Sequence, residues 1–164
     1  MDALAPLGRE LFTFGLTEKA DVYARNIRRV GANSEFDIYC HGKLFTSVTL
    51  HIPGMHNVKN ALAATACICL GVRPNAVKYG LAGFNGAGRR FEFKGKYNGP
   101  AIYDDYAHHP GELKALLDAV EPLGYKRTIL VFQPHTYTRT AALFEDFVDQ
   151  LCRPDVCYLA EIYA

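Results

Sequence analysis

No stretch of this chain reads G-x-x-x-x-G-K-[ST], and no G-x-G-x-x-G follows a strand-like segment. Both common glycine cradles for phosphate are missing, so a nucleotide bound here would need its phosphates held by other residues. No apolar run reaches the roughly 20 residues that a membrane-spanning helix needs. The opening MDALAPLGRE lacks the charged-then-apolar order of a secretory leader. Charge of neither sign is in excess. The formal net charge is +1, and basic residues are scattered apart from pairs such as Arg28-Arg29 and Arg89-Arg90, which argues against a nucleic-acid or anionic-membrane surface. Five cysteines form an odd set without framework spacing, which excludes a disulfide scaffold and points to reduced thiols in the cytosol. Cys67 and Cys69, two apart on a helical pattern, face different directions and make a poor metal pair. Internal repeats and low-complexity tracts are also absent.

What remains is a soluble globular composition, 49% hydrophobic and 21% charged, in 164 residues: one ordinary domain or pieces of two. From Leu11 to Leu50 the pattern reads as extended, with the segments LFTFGL, DVYARNIRRV, SEFDIYC and KLFTSVTLHI rich in β-branched and aromatic residues. CHGK reads as a hairpin turn with Gly42 at positive φ. After Pro53-Gly54 the period changes. Val58, Ala61, Leu62, Thr65, Ile68 and Cys69 mark the buried stripe of a helix that Gly71 ends, and Pro74 opens a second helix to about Gly83. GFNGAGRR reads as a joint between domains. Beyond it, RFEFKGKYNGPAIYDD reads as a hairpin turning near Tyr97 to Pro100. A helix from Pro110 carries Leu113, Leu116, Leu117 and Val120 inward. RTILVFQ reads as a buried strand. TRTAALFEDFVDQL reads as one helix with Leu143, Phe144, Phe147, Val148 and Leu151 inward, and DVCYLA as a last strand.

The alternation predicts parallel strands with right-handed crossovers. Three such strands are half of a doubly wound domain. The expected fold class is therefore α/β: the end of a mixed-sheet domain over residues 1–86, then a partial Rossmann-like parallel domain over 87–164. On this reading the chain is a fragment.

Three constellations carry chemistry. In DDYAHHP, the residues Asp104, Asp105, Tyr106, His108 and His109 crowd a strand-to-helix corner, the edge that faces the ligand crevice in open α/β sheets. VFQPHTYTRT puts Gln133, His135, Tyr137 and Arg139 at a second such corner, and adjacent parallel strands would deliver both to one edge. In PGMHNVKN, His56, Asn57 and Asn60 lie on the first turns of a helix. The two asparagines share a face, and their amides suit a purine edge, although one Asn could be an ordinary cap. In GRRFE, two arginines could fork onto phosphate oxygens, or be a solvated pair with Glu92 as partner. The Asp/His corner also has the ligand chemistry of a Mn²⁺- or Zn²⁺-dependent phosphoesterase.

The stretches IPGMHNVKNALAA, FNGAGRRFE, YDDYAHHPGE, VFQPHTYTRT and EIYA resemble the Mur ligases of peptidoglycan synthesis. Within that family they resemble the branch that adds L-alanine to UDP-N-acetylmuramate, or the recycling relative that adds a peptide. The resemblance implies an ATP-binding central domain followed by a Rossmann-like ligase domain, ATP with Mg²⁺, and a bacterial cytoplasmic setting. It implies that His56, Asn57 and Asn60 lie at the adenine, that Arg90 reaches the phosphates, and that Asp105 holds the ribose. Tyr106, His108 and Arg139 would shape the amino-acid pocket, with Arg139 on the substrate carboxylate. Many members of the family carry an arginine where this chain has Thr136. The family's phosphate loop, Mg²⁺ ligands and UDP-sugar domain lie upstream of these motifs, so no catalytic set is complete here and the chain alone is expected to be inactive.

Overall fold

Strict alternation decides the first sheet. In the computed structural model, which describes residues 11–66 and 71–164, Ser34, Phe36 and Ile38 of one strand point inward while their neighbours stay nearer to solvent. The chain divides into two compact units. The first holds residues up to Ile52 and His56–Phe84, the second Pro53–Met55 and Asn85–Ala164.

The first unit is a four-stranded sheet ordered β1-β2-β3-β4, from Phe14–Gly15, Val22–Val30, Asn33–Cys40 and Lys43–Leu50. β1 runs parallel to β2, and the rest is antiparallel, so the sheet is mixed. His41 and Gly42 both take positive φ (47° and 78°), the backbone of a tight hairpin whose twist suits the strands. A bulge interrupts β2 between Arg25 and Arg28. Asn26 supplies the left-handed residue there (φ 54°), and its amide donates to Asp37 at 2.7 Å. One sheet face carries the core: Val22, Ala24, Phe36, Ile38, Val48 and Leu50 pack with Val58, Ala61 and Leu62 of α1 (Met55–Ala66). Val77 and Leu81 of α2 (Pro74–Ala82) close over it. The stripe read on α1 is buried at Val58, Ala61, Leu62 and Thr65. Ile68, Cys67 and Cys69 lie outside the described residues.

The second unit opens with an antiparallel hairpin, β5 (Glu92–Lys96) and β6 (Ala101–Asp104). Asn98 and Gly99 form its turn at φ 52° and 112°. Pro100 has no N–H to return, so the Tyr97 N–H to Pro100 carbonyl bond of 3.0 Å closes the turn instead. The Tyr103 and Tyr125 hydroxyls meet at 2.7 Å. That bond first, and burial second, push the Tyr103 phenol up to about 12. After α3 (Pro110–Val120) come β7 (Ile129–Phe132), α4 (Tyr137–Ala142), α5 (Phe144–Leu151) and β8 (Val156–Leu159). β7 and β8 pair in parallel, as a β-α-β crossover requires.

Several expectations are corrected here. β6 is not a third parallel strand: among the described residues it pairs only with β5, and no ladder joins it to β7. The long helix is two, because Leu143 leaves helical geometry (φ −120°, ψ 27°) where its side chain turns onto the Leu113, Phe132 and Phe147 cluster. Phe144, next to that break, is 57% exposed rather than inward. β7 is buried on one face only. Leu130 and Phe132 face the cluster with Leu113 of α3 and Phe147 of α5, while Ile129 and Val131 are exposed on the other side.

Ile38 is fully buried at the centre of the first core. Ile38→Ala is expected to lower the unfolding free energy by about 2–5 kcal/mol, from lost burial plus a residual cavity. Urea denaturation followed through the first unit's tyrosines checks this, and a change under 1 kcal/mol would contradict the packing described.

Candidate functional site

Two backbone outliers shape the joint before β5. Arg89 and Phe91 both sit at positive φ (55° and 49°), a conformation that few non-glycine residues adopt. Both are tied down. The Phe91 N–H donates to Asp105 Oδ2 at 2.7 Å, and its ring stacks on Tyr103 at 4.4 Å. The Arg89 N–H donates to Glu92 at 2.8 Å, and the Arg89 carbonyl accepts the Tyr106 N–H at 2.9 Å. The joint is thereby fastened to the DDYAHHP corner, and Arg90 projects from it between two fixed neighbours.

At the corner each side chain has a definite partner. Asp104 pairs with Arg89 Nε at 3.5 Å. Asp105 accepts the Ala107 N–H through its other oxygen, at 2.8 Å. The Arg89 guanidinium lies 4.7 Å over the Tyr106 ring, and Tyr106 meets His108 edge-on at 5.2 Å. His108 Nδ1 lies 2.9 Å from the Tyr106 carbonyl. A carbonyl only accepts, so Nδ1 carries the hydrogen, and whenever the ring is neutral Nε2 is the acceptor. His109 is a helix cap: its Nδ1 accepts the Gly111 N–H at 3.2 Å, and Pro110 follows at the first helical position.

Glu112, in the first turn of α3, was not among the residues singled out from the sequence. It accepts the His108 N–H at 2.9 Å, faces His108 Nδ1 at 3.4 Å, and pairs with Arg90 Nη1 at 3.6 Å. Burial alone would raise its carboxyl. The His108 amide, the His108 ring and Arg90 outweigh burial and hold it below its ordinary value. The x-E after the histidines was the signal that could have found it, since an acid in a first turn suits a helix N-terminus. The four ligands of the phosphoesterase reading are thus spent on separate partners. No group of three or more His, Cys, Asp or Glu placed to hold a metal ion occurs among the described residues.

At the second corner, Gln133 donates to the Glu161 carbonyl at 3.2 Å, and His135 stacks on Tyr163 at 5.5 Å. Among the described residues, Nη1 of Arg139 is buried without a hydrogen-bond partner; neither Glu145 nor Asp146 takes it. The two corners are linked through the core. Ala107, between Tyr106 and His108, packs on the cluster that contains Phe132, the residue before Gln133. A cavity of about 190 Å³ lies instead at the amino ends of β7 and β8, beside Thr128 and Asp155. Its arginine, Arg153, is already held by Asp118 and Glu121 at 2.8 and 3.0 Å, and this cavity is away from both corners.

The adenine candidates lie on α1, in the first unit. Asn60 donates to Asn57 at 3.4 Å across one helical turn, so the two amides do share a face, with His56 beside them. Arg90, Asp105, Tyr106, His108 and Arg139 belong to the second unit.

Residues 1–68 match the Mur ligase middle domain, and residues 89–161 match the Mur ligase glutamate ligase domain. The chain belongs to the Mur ligase family. It is 44% identical over 155 residues to the UDP-N-acetylmuramate–L-alanine ligase of Clostridium novyi, covering 94% of this chain and 34% of that protein. With the protein of the same name from Agathobacter rectalis it shares 45% over 165 residues, covering 99% and 36%. The crystal structure of UDP-N-acetylmuramate-alanine ligase MurC from Thermotoga maritima superposes with a TM-score of 0.76 at 30% identity, over 93% of this chain and 34% of that one. MurF from Acinetobacter baumannii shares the fold, with a TM-score of 0.77 at 21% identity, over 98% and 39%. The chain spans about a third of the length of the curated relatives it matches.

Because its folded-state pKa is lowered, Glu112 contributes stability that is present above its ordinary value of 4.5 and lost as pH falls through the lower folded value. Glu112→Gln is expected to flatten the acid side of the stability curve between about pH 5 and pH 3. Thermal unfolding across that range is the check, and parallel curves for the two proteins would show that the contacts to His108 and Arg90 carry no net weight.

Proposed function

We propose that this chain is part of an ATP-dependent ligase that joins L-alanine to UDP-N-acetylmuramate in cytoplasmic peptidoglycan synthesis. Residues 1–86 would end its ATP-binding domain and residues 87–164 would begin its amino-acid-binding domain. The observation that carries the reading is Arg139. A guanidinium with a buried, unpartnered nitrogen is costly unless an anion completes it. It lies just past a strand end at the edge of a parallel sheet, where α/β proteins bind ligands. A substrate carboxylate has the planar two-oxygen geometry that a guanidinium matches. The 41–45% identity to proteins named for this ligation supports the same assignment.

In the reaction, the muramoyl carboxylate takes the γ-phosphoryl group of ATP to give an acyl phosphate, and ADP leaves. The alanine amine then attacks the acyl carbon, phosphate leaves, and the amine loses a proton as the amide forms. Asn57 and Asn60, with His56 beside them, would hold the adenine by their amide donors and acceptors. The Arg90 guanidinium is half exposed and pairs with Glu112 at 3.6 Å, so it can exchange that carboxylate for phosphate oxygens, where charge develops during transfer. Asp105 keeps a second lone pair on each oxygen for ribose hydroxyls. Tyr106 and His108 would wall the amino-acid pocket, and the His108 Nε2 acceptor is suited to an ammonium or amine hydrogen. Mg²⁺ bound with ATP would neutralise phosphate charge, and no residue of this chain is assigned to it.

In the complete ligase, Arg139→Lys keeps the charge but loses the fork. It is expected to raise KM for L-alanine about tenfold or more, as loss of a charged hydrogen bond implies, while KM for ATP stays within about twofold. Steady-state phosphate release measures both, and an unchanged alanine KM would remove Arg139 from the pocket. The 164-residue chain by itself is expected to release no phosphate with UDP-N-acetylmuramate, L-alanine and ATP.

A further inference from the structure

Past β8 the chain continues alongside the loop that follows β7. The Ala160 N–H donates to the Phe132 carbonyl at 3.0 Å, and the Tyr163 N–H to the Pro134 carbonyl at 2.9 Å. The Thr136 N–H returns to the Tyr163 carbonyl at 2.8 Å. Gln133 reaches the Glu161 carbonyl, and His135 both bridges to Tyr163 and stacks on its ring with planes 24° apart. The 161–163 segment is therefore a strap across residues 133–136, made by backbone bonds on both sides of Tyr163 and by one ring.

Directly under the strap the backbone is strained. Thr136 has φ 68° and ψ 133°. For a β-branched residue this is an outlier, and such a conformation persists only where the surroundings over-determine it. The strap supplies that constraint, because Thr136 is bonded to it through its N–H. On its other side, the Thr136 carbonyl accepts both the N–H (3.2 Å) and the hydroxyl (2.8 Å) of Thr140. The two peptide groups that flank Thr136, one bonded to Tyr163 and the other to Thr140, thus set where α4 starts. α4 is six residues long, has no side-chain cap at its start, and carries Arg139 in its middle.

We propose that Tyr163 and the strained backbone of Thr136 form a clamp that fixes α4, and through it Arg139, in the orientation that receives an amino-acid carboxylate. Tyr163 and Thr136 are positioning residues; neither need touch the substrate. The inference rests on the reading of Arg139 given under Proposed function. It adds a reason for that residue's orientation: an arginine on a long flexible stem and a one-and-a-half-turn helix would otherwise sample many directions. It also gives Thr136 a role, since a relaxed φ at that position would turn its two flanking peptide groups relative to each other, so that the bonds to Tyr163 and to Thr140 could not both be kept.

The test uses the 164-residue chain, labelled with ¹⁵N, and follows the Arg139 Nε–H and the amides of Thr140 and Leu143 by hydrogen exchange. In Tyr163→Ala these three groups are expected to exchange about tenfold faster or more, as a local opening would produce, while the core amides of Leu117 and Phe147 stay within twofold. Tyr163→Phe keeps the ring and the backbone and is expected to match wild type. Thr136→Gly keeps both backbone bonds and accepts this φ, so it is expected to leave Arg139 exchange within about twofold, whereas Thr136→Pro loses the N–H bonded to Tyr163 and takes a negative φ, and is expected to loosen Arg139. Arg139 exchange unchanged within twofold in Tyr163→Ala overturns the clamp, as does uniform loosening of the whole unit. If Tyr163→Ala does not fold, Thr136→Pro decides alone: an unchanged Arg139 overturns it. Titration with L-alanine separates the two layers. A shift of the wild-type Arg139 signal that weakens about tenfold or more in Tyr163→Ala supports both. No response to L-alanine, with the exchange effects intact, overturns the carboxylate reading and leaves the clamp standing.

Discussion

One carboxylate fastens the candidate site. Asp105 takes the Phe91 amide on one oxygen and the Ala107 amide on the other, at 2.7 and 2.8 Å. These are charge-assisted bonds to backbone, the stronger kind. The first holds the joint in a conformation that its non-glycine residues would not choose alone. The second holds the corner whose next element is α3. With both made, Arg89 faces Asp104 and Tyr106, Arg90 faces Glu112, and Glu112 in turn orders His108. Ala107 lies on the core cluster with Phe132, so the second corner is placed by apolar packing where the first is placed by hydrogen bonds.

The two corners differ in how their charges are satisfied, and that difference carries the functional reading. Around DDYAHHP every acid and arginine has a partner within the unit, and a ligand there must exchange with an existing contact. Arg90 and Glu112 form such an exchangeable pair: 3.6 Å apart and partly solvated, a pairing worth little by itself. At the second corner Arg139 has a buried nitrogen with nothing to exchange. On the proposed reading, a substrate carboxylate would complete that nitrogen.

Local chemistry was legible in the sequence wherever a residue type has one strong reason for its place. Asn98-Gly99 and His41-Gly42 turn because their backbones can, Pro110 starts a helix, and the stripe from Val58 to Thr65 faces a core. The family was legible too, because DDYAHHP and the FQPH segment are long and ordered. What could not be read was pairing at a distance. Nothing in RTILVFQ says that helices cover only one of its faces, so Ile129 and Val131 looked buried. The hairpin that pairs PAIYDD with β5 was read, but nothing in the segment says that β7 does not pair on its other side. Leu143 looked like one more position in a continuous stripe, yet packing onto Phe132 and Phe147 breaks the helix there and leaves Phe144 in solvent. Glu112 and Tyr163 were missed because their work is done on backbone groups and on neighbours far from their own motif.

Native-state hydrogen exchange at Phe91 and Ala107 tests the central constraint most directly. If Asp105 pins joint and corner together, both amides are slow in the wild-type chain, about a hundredfold or more below an open loop, and both lose that protection together in Asp105→Ala while the Phe132–Ala160 ladder keeps its own. Fast exchange at either amide in the wild-type chain, or loss at one without the other in the variant, would mean that the joint and the corner are held separately and that no single carboxylate organises the site.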